Sequence, residues 1–203
     1  MKLDYLEIGT SDFDTLVQEL DTVGISVEPI KYYLDRLPNK ENNTKVNCAI
    51  SADNKEGEID VYYIPDAVIE KLNVKNPHWL RGQNRVGDYH RAHKINNLEE
   101  HVVKETVKLM SIQSLIEEYN IESIGYLKID TEGSDCGILN CLFEYIKDKP
   151  NLHPVKILFE SNILSKQNDV KNVINQYKSI GYELMYSKSD TLLQKNKITP
   201  KSI

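Results

Sequence analysis

Long apolar runs are missing from this chain of 203 residues, and with them the ~20-residue stretch that a membrane-crossing helix needs. Met1 leads within a few residues to Asp4 and Glu7, so no signal peptide is expected at the start. Cysteine is scarce. Cys48, Cys136 and Cys141 form no Cys-x-x-Cys pair, and an odd number does not suggest a disulfide framework. Together these absences predict a soluble, cytoplasmic protein in a reducing compartment, with no membrane partner. An excess of positive charge is lacking too. Twenty-five Lys and Arg against 31 Asp and Glu leave a net charge of −6, which argues against nucleic acid as a partner held broadly by charge. No internal repeat, linker or low-complexity tract interrupts the chain. With 40% apolar residues, it is expected to form one domain over residues 1–203.

What is present is an alternation of short apolar strands with amphipathic helical stretches, the pattern of a mostly parallel sheet with crossover helices. Strands are expected at Leu3–Ile8, Ile25–Val27, Val46–Ser51, Glu58–Ile64, Val102–Met110, Ile124–Ile129 and Val155–Phe159. A helix capped by Ser11 or Asp12 should run to about Thr22, with Phe13, Leu16, Val17 and Leu20 on one face. Further helices are expected at Ile30–Leu37, Ser111–Tyr119, Ser134–Lys147 and Asn168–Ile180, and a closing hairpin turns at Ser189-Asp190. The stretch from about 65 to 100 holds Pro, Gly, Asn, the single Trp and several basic residues. A long loop of this kind is expected to act as a lid or substrate loop.

Three strand ends carry the chemistry. In open α/β sheets ligands lie beyond the carboxyl ends of the strands, near the point where strand order reverses. The first end is Glu7-Ile8-Gly9-Thr10-Ser11, where a glycine after a strand lets the backbone approach a ligand. The full Gly-x-Gly-x-x-Gly pattern is absent. The second end is Val27-Glu28-Pro29. Glu28 stands where an acidic residue can accept hydrogen bonds from two ribose hydroxyls. The third is Lys128-Ile129-Asp130-Thr131-Glu132-Gly133-Ser134-Asp135.

This third segment resembles the K-I-D-x-E-G-x-E/D signature of FkbM-type methyltransferases. Glu7-Ile8-Gly9, Val27-Glu28-Pro29, Asn47–Ser51, Leu158-Phe159-Glu160 and Gly181-Tyr182 resemble further family segments, in the same order. The resemblance implies a Rossmann-like class I methyltransferase fold: a mostly parallel seven-stranded sheet with helices on both faces and a C-terminal antiparallel hairpin. It implies S-adenosylmethionine as cofactor, with Glu7, Gly9, Thr10 and Ser11 at the methionine end. Glu28 and Pro29 would lie at the ribose, Ala49, Ile50 and Ser51 at the adenine, and Asp130 beside the sulfonium. It further implies O-methylation of a hydroxyl on a sugar, glycan or small metabolite.

Methyl transfer to oxygen is an in-line displacement, so positioning supplies much of the catalysis. A general base adds roughly 10²–10⁴-fold, and Asp130, Glu132, Glu160 and His93 are the candidates. Asp130, Glu160 and Asn162 also form an all-oxygen set suited to Mg²⁺ or another divalent cation. In the lid, Trp79, Arg81, Arg85, Tyr89 and His90 are the candidates for acceptor recognition. Two other readings stand beside this one. The first is methylation of a ribose 2′-hydroxyl in nucleic acid. The second is a methyltransferase-like partner subunit without catalysis, which the reduced glycine motif favours.

Overall fold

The computed structural model of the chain describes residues 1–72, 80, 84–88, 91–95 and 97–196, with the backbone alone at 91 and 92. The main sheet contains β1 (Lys2–Ile8), β2 (Gly24–Val27), β3 (Asn43–Val46), β8 (Ser123–Ile129), β9 (Lys156–Glu160), β10 (Tyr182–Ser187) and β11 (Asp190–Lys195). Their order is β10-β11-β9-β8-β1-β2-β3. Neighbours from β9 to β3 are parallel, and β11 runs antiparallel to both β9 and β10. The expected mostly parallel seven-stranded sheet with a closing antiparallel hairpin is therefore what the chain forms. Strand order reverses between β1 and β8, and ligand crevices open at such points.

A second sheet was not anticipated. It contains β4 (Ala49–Ile50), β5 (Gly57–Tyr63), β6 (Arg85–Val86) and β7 (Val103–Met110), in the order β4-β7-β5-β6. The expected single strand Val46–Ser51 is thus divided between two sheets. The break falls at Asn47, whose side-chain amide donates to the Glu28 and Pro29 carbonyls at 2.9 and 2.8 Å. That tie satisfies the backbone oxygens beyond β2 with a side chain and lets the main chain leave the sheet.

Helices α5 (Ile112–Glu118), α6 (Asp135–Ile146) and α7 (Gln167–Ser179) place apolar residues at helical spacing against one face of the main sheet. In α6 these are Ile138, Leu139, Leu142, Phe143 and Ile146, and in α7 Val170, Val173, Ile174 and Tyr177. The other face meets the short helices α1 (Leu16–Glu19) and α2 (Lys31–Arg36), through Leu16, Val17, Leu34 and Leu37 around Tyr5. The helix expected from Ser11 or Asp12 to Thr22 shrinks to one turn, because Ser11 (φ 49°) and Asp14 (φ 53°) are left-handed and the segment before Thr15 cannot be helical. Phe13, expected on the helix's apolar face, is 40% exposed.

The expected lid stretch also contains regular structure: α3 (Asp66–Ile69), β6, α4 (Arg91–Ile95) and a 3-10 turn at Glu99–His101. Strand β6 pairs antiparallel with β5, Val61 opposite Val86 and Tyr62 opposite Arg85. Among the described residues no helix is long and apolar enough to cross a membrane.

Candidate active site

Beyond the carboxyl ends of β1, β2, β8 and β9 lies a cavity of about 260 Å³. That lies just under the ~300 Å³ at which small-molecule pockets typically begin. Gly9, Thr10, Ser11, Glu28, Pro29, Ala49, Ile50 and Asp130 all line it, eight of the ten residues expected at the cofactor. Glu7 and Ser51 do not. Glu7 is fully buried behind the cavity, and Ser51 is committed to a turn, where its hydroxyl bonds Asp53 and accepts from the Lys55 amide. Val61, Arg85 and Val86 of the second sheet also line the cavity, as does Asn84 just before β6.

Gly9 adopts φ +80°, and its amide donates to the Val27 carbonyl at 2.9 Å. A Cβ there would stand 1.9 Å from the Asp130 carbonyl oxygen. Only glycine lets the loop after β1 cross this close to β8. Two residues on, Ser11 lines the cavity, and its hydroxyl oxygen is buried with no hydrogen-bond partner.

Glu28 is 4% exposed. Its Oε2 accepts from the Ser11 amide at 2.7 Å and its Oε1 from the Ile30 amide at 2.9 Å. Each carboxylate oxygen has a second lone pair, so both can accept a ligand hydroxyl as well. Burial pushes this carboxyl up to about 7; the two amides oppose the shift, and Asp12 and Asp130 add to it.

At the ends of β8 and β9, Asp130, Glu132 and Glu160 bring carboxylate oxygens within 4.8 Å of one another. Asp130 is exposed at the cavity, with protein packed closely around its carboxyl. Desolvation, with the Glu132 charge, pushes it up to about 6. Glu160 is pushed up to about 8 by desolvation and by the neighbouring carboxylates, Glu132 foremost, and its Oε2 is buried without a hydrogen-bond partner. The arrangement thus places groups able to hold or release a proton near neutrality at one end of the cavity.

Asn162 stands beside them: its Oδ1 accepts from the Leu164 amide at 2.7 Å, and its amide nitrogen donates to Glu160 Oε1. Glu132 adds a third carboxylate to the cluster. His93 is fully buried in α4 and is not among the residues lining the cavity. Of the acceptor candidates, Arg85 lines the cavity, while Trp79, Arg81, Tyr89 and His90 fall outside the described residues.

Lys128 and Asp135, at the two ends of the same segment, have structural roles that the sequence does not reveal. Asp135, fully buried at the start of α6, accepts from the Thr131 hydroxyl (3.0 Å), the Gly133 amide (3.3 Å) and the Glu160 amide (3.3 Å). It therefore ties the loop after β8 to the last residue of β9. Burial pushes it up to about 7, with Asp130 adding to the rise. Lys128 reaches across to β1, where its ammonium lies 2.8 Å from Glu7 Oε1. Lys128 is the one charged residue of β8, which was the available signal for it.

The strand order, the crevice at its reversal and the hairpin at its edge together define a class I methyltransferase architecture. The methyltransferase FkbM domain matches residues 7–184, and the chain belongs to that family. Such a domain implies methyl transfer from S-adenosylmethionine. No curated protein and no solved structure matches the chain.

Proposed function

We propose that the cavity binds S-adenosylmethionine and that the enzyme methylates a hydroxyl oxygen of a sugar, glycan or small metabolite. Bound cofactor supplies a methyl group on a sulfonium, poised for in-line displacement. In this reading the amides and hydroxyls of Gly9–Ser11 face the methionine end, with the unpartnered Ser11 hydroxyl as an obvious donor. Glu28 accepts the ribose hydroxyls through its free lone pairs, and Ala49, Ile50 and Pro29 give the adenine an apolar slot. The acceptor hydroxyl lies against Asp130 and Glu160. As its oxygen bonds to the methyl carbon and the carbon–sulfur bond breaks, its proton passes to one of these carboxylates, with S-adenosylhomocysteine as the other product.

The observation that carries the choice of oxygen is the carboxylate group of Asp130, Glu132 and Glu160 at the cavity wall. Groups near 6 and 8 are matched to proton removal around neutral pH. The same three carboxylates, with the unpartnered Glu160 Oε2, also suit a divalent cation, which would lower the acceptor's own pKa.

Calorimetric titration with S-adenosylmethionine, S-adenosylhomocysteine and NAD tests the cofactor placement. Micromolar binding of the first two and none of NAD is expected, and Glu28→Ala should weaken it at least roughly tenfold, the equivalent of one charged hydrogen bond. Equal binding by Glu28→Ala and the parent would refute the ribose placement. A panel of hydroxyl acceptors, assayed with Mg²⁺ and with EDTA, then separates the carboxylate base from the cation.

A further inference from the structure

We propose that Lys128 is a positioning residue which, through the buried Glu7 carboxylate, holds the loop after β1 in its cavity-lining shape in place of the glycines that this loop lacks. The inference rests on reading the cavity as the S-adenosylmethionine site. Glu7 and Lys128 are register partners on the adjacent parallel strands β1 and β8. The Glu7 side chain is fully buried and that of Lys128 is 19% exposed. One ammonium makes two contacts: 2.8 Å to Glu7 Oε1 and 2.8 Å to the Asp14 carbonyl. The other Glu7 oxygen, Oε2, accepts from the Leu16 amide at 2.8 Å.

The pair therefore grips the chain on both sides of Thr15, the residue that starts α1. At the loop's other end the Ser11 amide is held by Glu28. Between these grips lie Ser11 and Asp14, two residues with side chains in left-handed conformations, a backbone region that glycine enters far more easily. After Gly9 the loop has no further glycine. Without the grips its relaxed conformations lie elsewhere in backbone space. Lys128 and Asp14 line the cavity, whereas Glu7 stands behind it, so the pair can shape the wall without Glu7 meeting a ligand. This gives Glu7 a different duty from the methionine contact that the family resemblance implies.

Burial raises the Glu7 carboxyl above its ordinary range, and the Lys128 charge and hydrogen bond and the Leu16 amide oppose that shift. Removing the lysine alone would leave a buried acid with no cation, a change that destabilises strongly whatever the loop does. The test therefore needs a neutralised pair.

The full chain would be compared as parent, Lys128→Met and Glu7→Gln/Lys128→Met. Three quantities are read: melting temperature, amide hydrogen exchange over residues 10–16, and calorimetric affinity for S-adenosylhomocysteine. Lys128→Met should lower the melting temperature, speed exchange in that loop at least roughly tenfold, and weaken binding at least roughly tenfold, the loss of one charged hydrogen bond. The double variant buries no lone charge and should recover much of the melting temperature. It should not recover loop protection or affinity, because nothing then holds the Asp14 carbonyl. Recovery of all three in the double variant would overturn the proposal and leave the pair a plain stabilising contact. If Lys128→Met does not fold, the double variant alone decides between these results. Should the parent fail to bind S-adenosylhomocysteine, the cofactor reading fails, while exchange in residues 10–16 still decides whether the clamp exists.

Discussion

Replacing Glu28 by Gln should remove one component of the pH dependence of the protein's stability, beside those of Asp130, Asp135 and Glu160. The parent carboxyl is 4% exposed and is shifted from 4.5 to about 7, first by burial and then by the charges of Asp12 and Asp130, against the pull of two amides. A folded-state value above the unfolded one means that folding favours the protonated acid. The stability linked to that proton is complete below pH 4.5 and is lost as pH rises through 7. At 1.36 kcal/mol for each tenfold change in the ionisation constant, the full effect is about 3 kcal/mol, of which about 2 to 3 kcal/mol falls between pH 5 and pH 8. Gln carries no charge at any pH and lacks this slope. It also offers one acceptor oxygen for the Ser11 and Ile30 amides, which adds a pH-independent loss of about 1–3 kcal/mol. Urea unfolding of both proteins at several pH values from 5 to 8 separates the two effects. The difference, variant minus parent, should move by about 2 to 3 kcal/mol in the variant's favour as pH rises. A difference constant to within about 0.5 kcal/mol, the uncertainty expected for such comparisons, would refute the assignment of that slope to Glu28.

Two further outcomes follow from close contacts at the same strand ends. Gly9→Ala places a Cβ 1.9 Å from the Asp130 carbonyl at φ +80°; the left-handed strain and overpacking together should destabilise by about 2 to 5 kcal/mol, read by chemical denaturation. A variant as stable as the parent would mean that the two loops are further apart than described. Asp135→Ala strips the acceptor from the Thr131 hydroxyl and from the Gly133 and Glu160 amides. It should destabilise by about 2 to 4 kcal/mol, in the range for buried donors left unpaired. A loss below about 0.5 kcal/mol, typical of an inconsequential surface change, would show that water replaces it freely.

Four strands of the parallel core, β1, β2, β8 and β9, were legible because each is a short, largely apolar run closed by Gly, Pro or an acidic residue; β3, Asn43-Thr44-Lys45-Val46, lacks that pattern. The Ser189-Asp190 turn was legible for the related reason that polar residues separate two alternating segments. The short α1 was not. Phe13, Leu16, Val17 and Leu20 have helical spacing, but Phe13 lies at the cavity and the turn before Thr15 is held open by Glu7, Glu28 and Lys128. The division of Val46–Ser51 was hidden as well, because an unbroken β-rich segment carries no mark of the Asn47 side chain bonding backward to β2. At the site, Gly9, Glu28 and Asp130 could be read from their places at strand ends. The Glu7–Lys128 pair, 121 residues apart, exists only once β1 and β8 are known to be neighbours.

The two-sheet construction has a further consequence. Residues 49–110 supply the whole second sheet, which intervenes in the chain between β3 and β8. Its strands contribute Val61 and Val86 to the cavity lining, while the loops after β1, β2 and β8 contribute the residues beyond the strand ends, and Val61 packs with Ile30 after β2. The lining is therefore drawn from separate tracts of sequence. Changes of length or side chain in the inserted tract can redraw the rim without disturbing the register of the seven-stranded sheet, so relatives of this chain can diverge in what they admit while keeping the floor of the cavity intact.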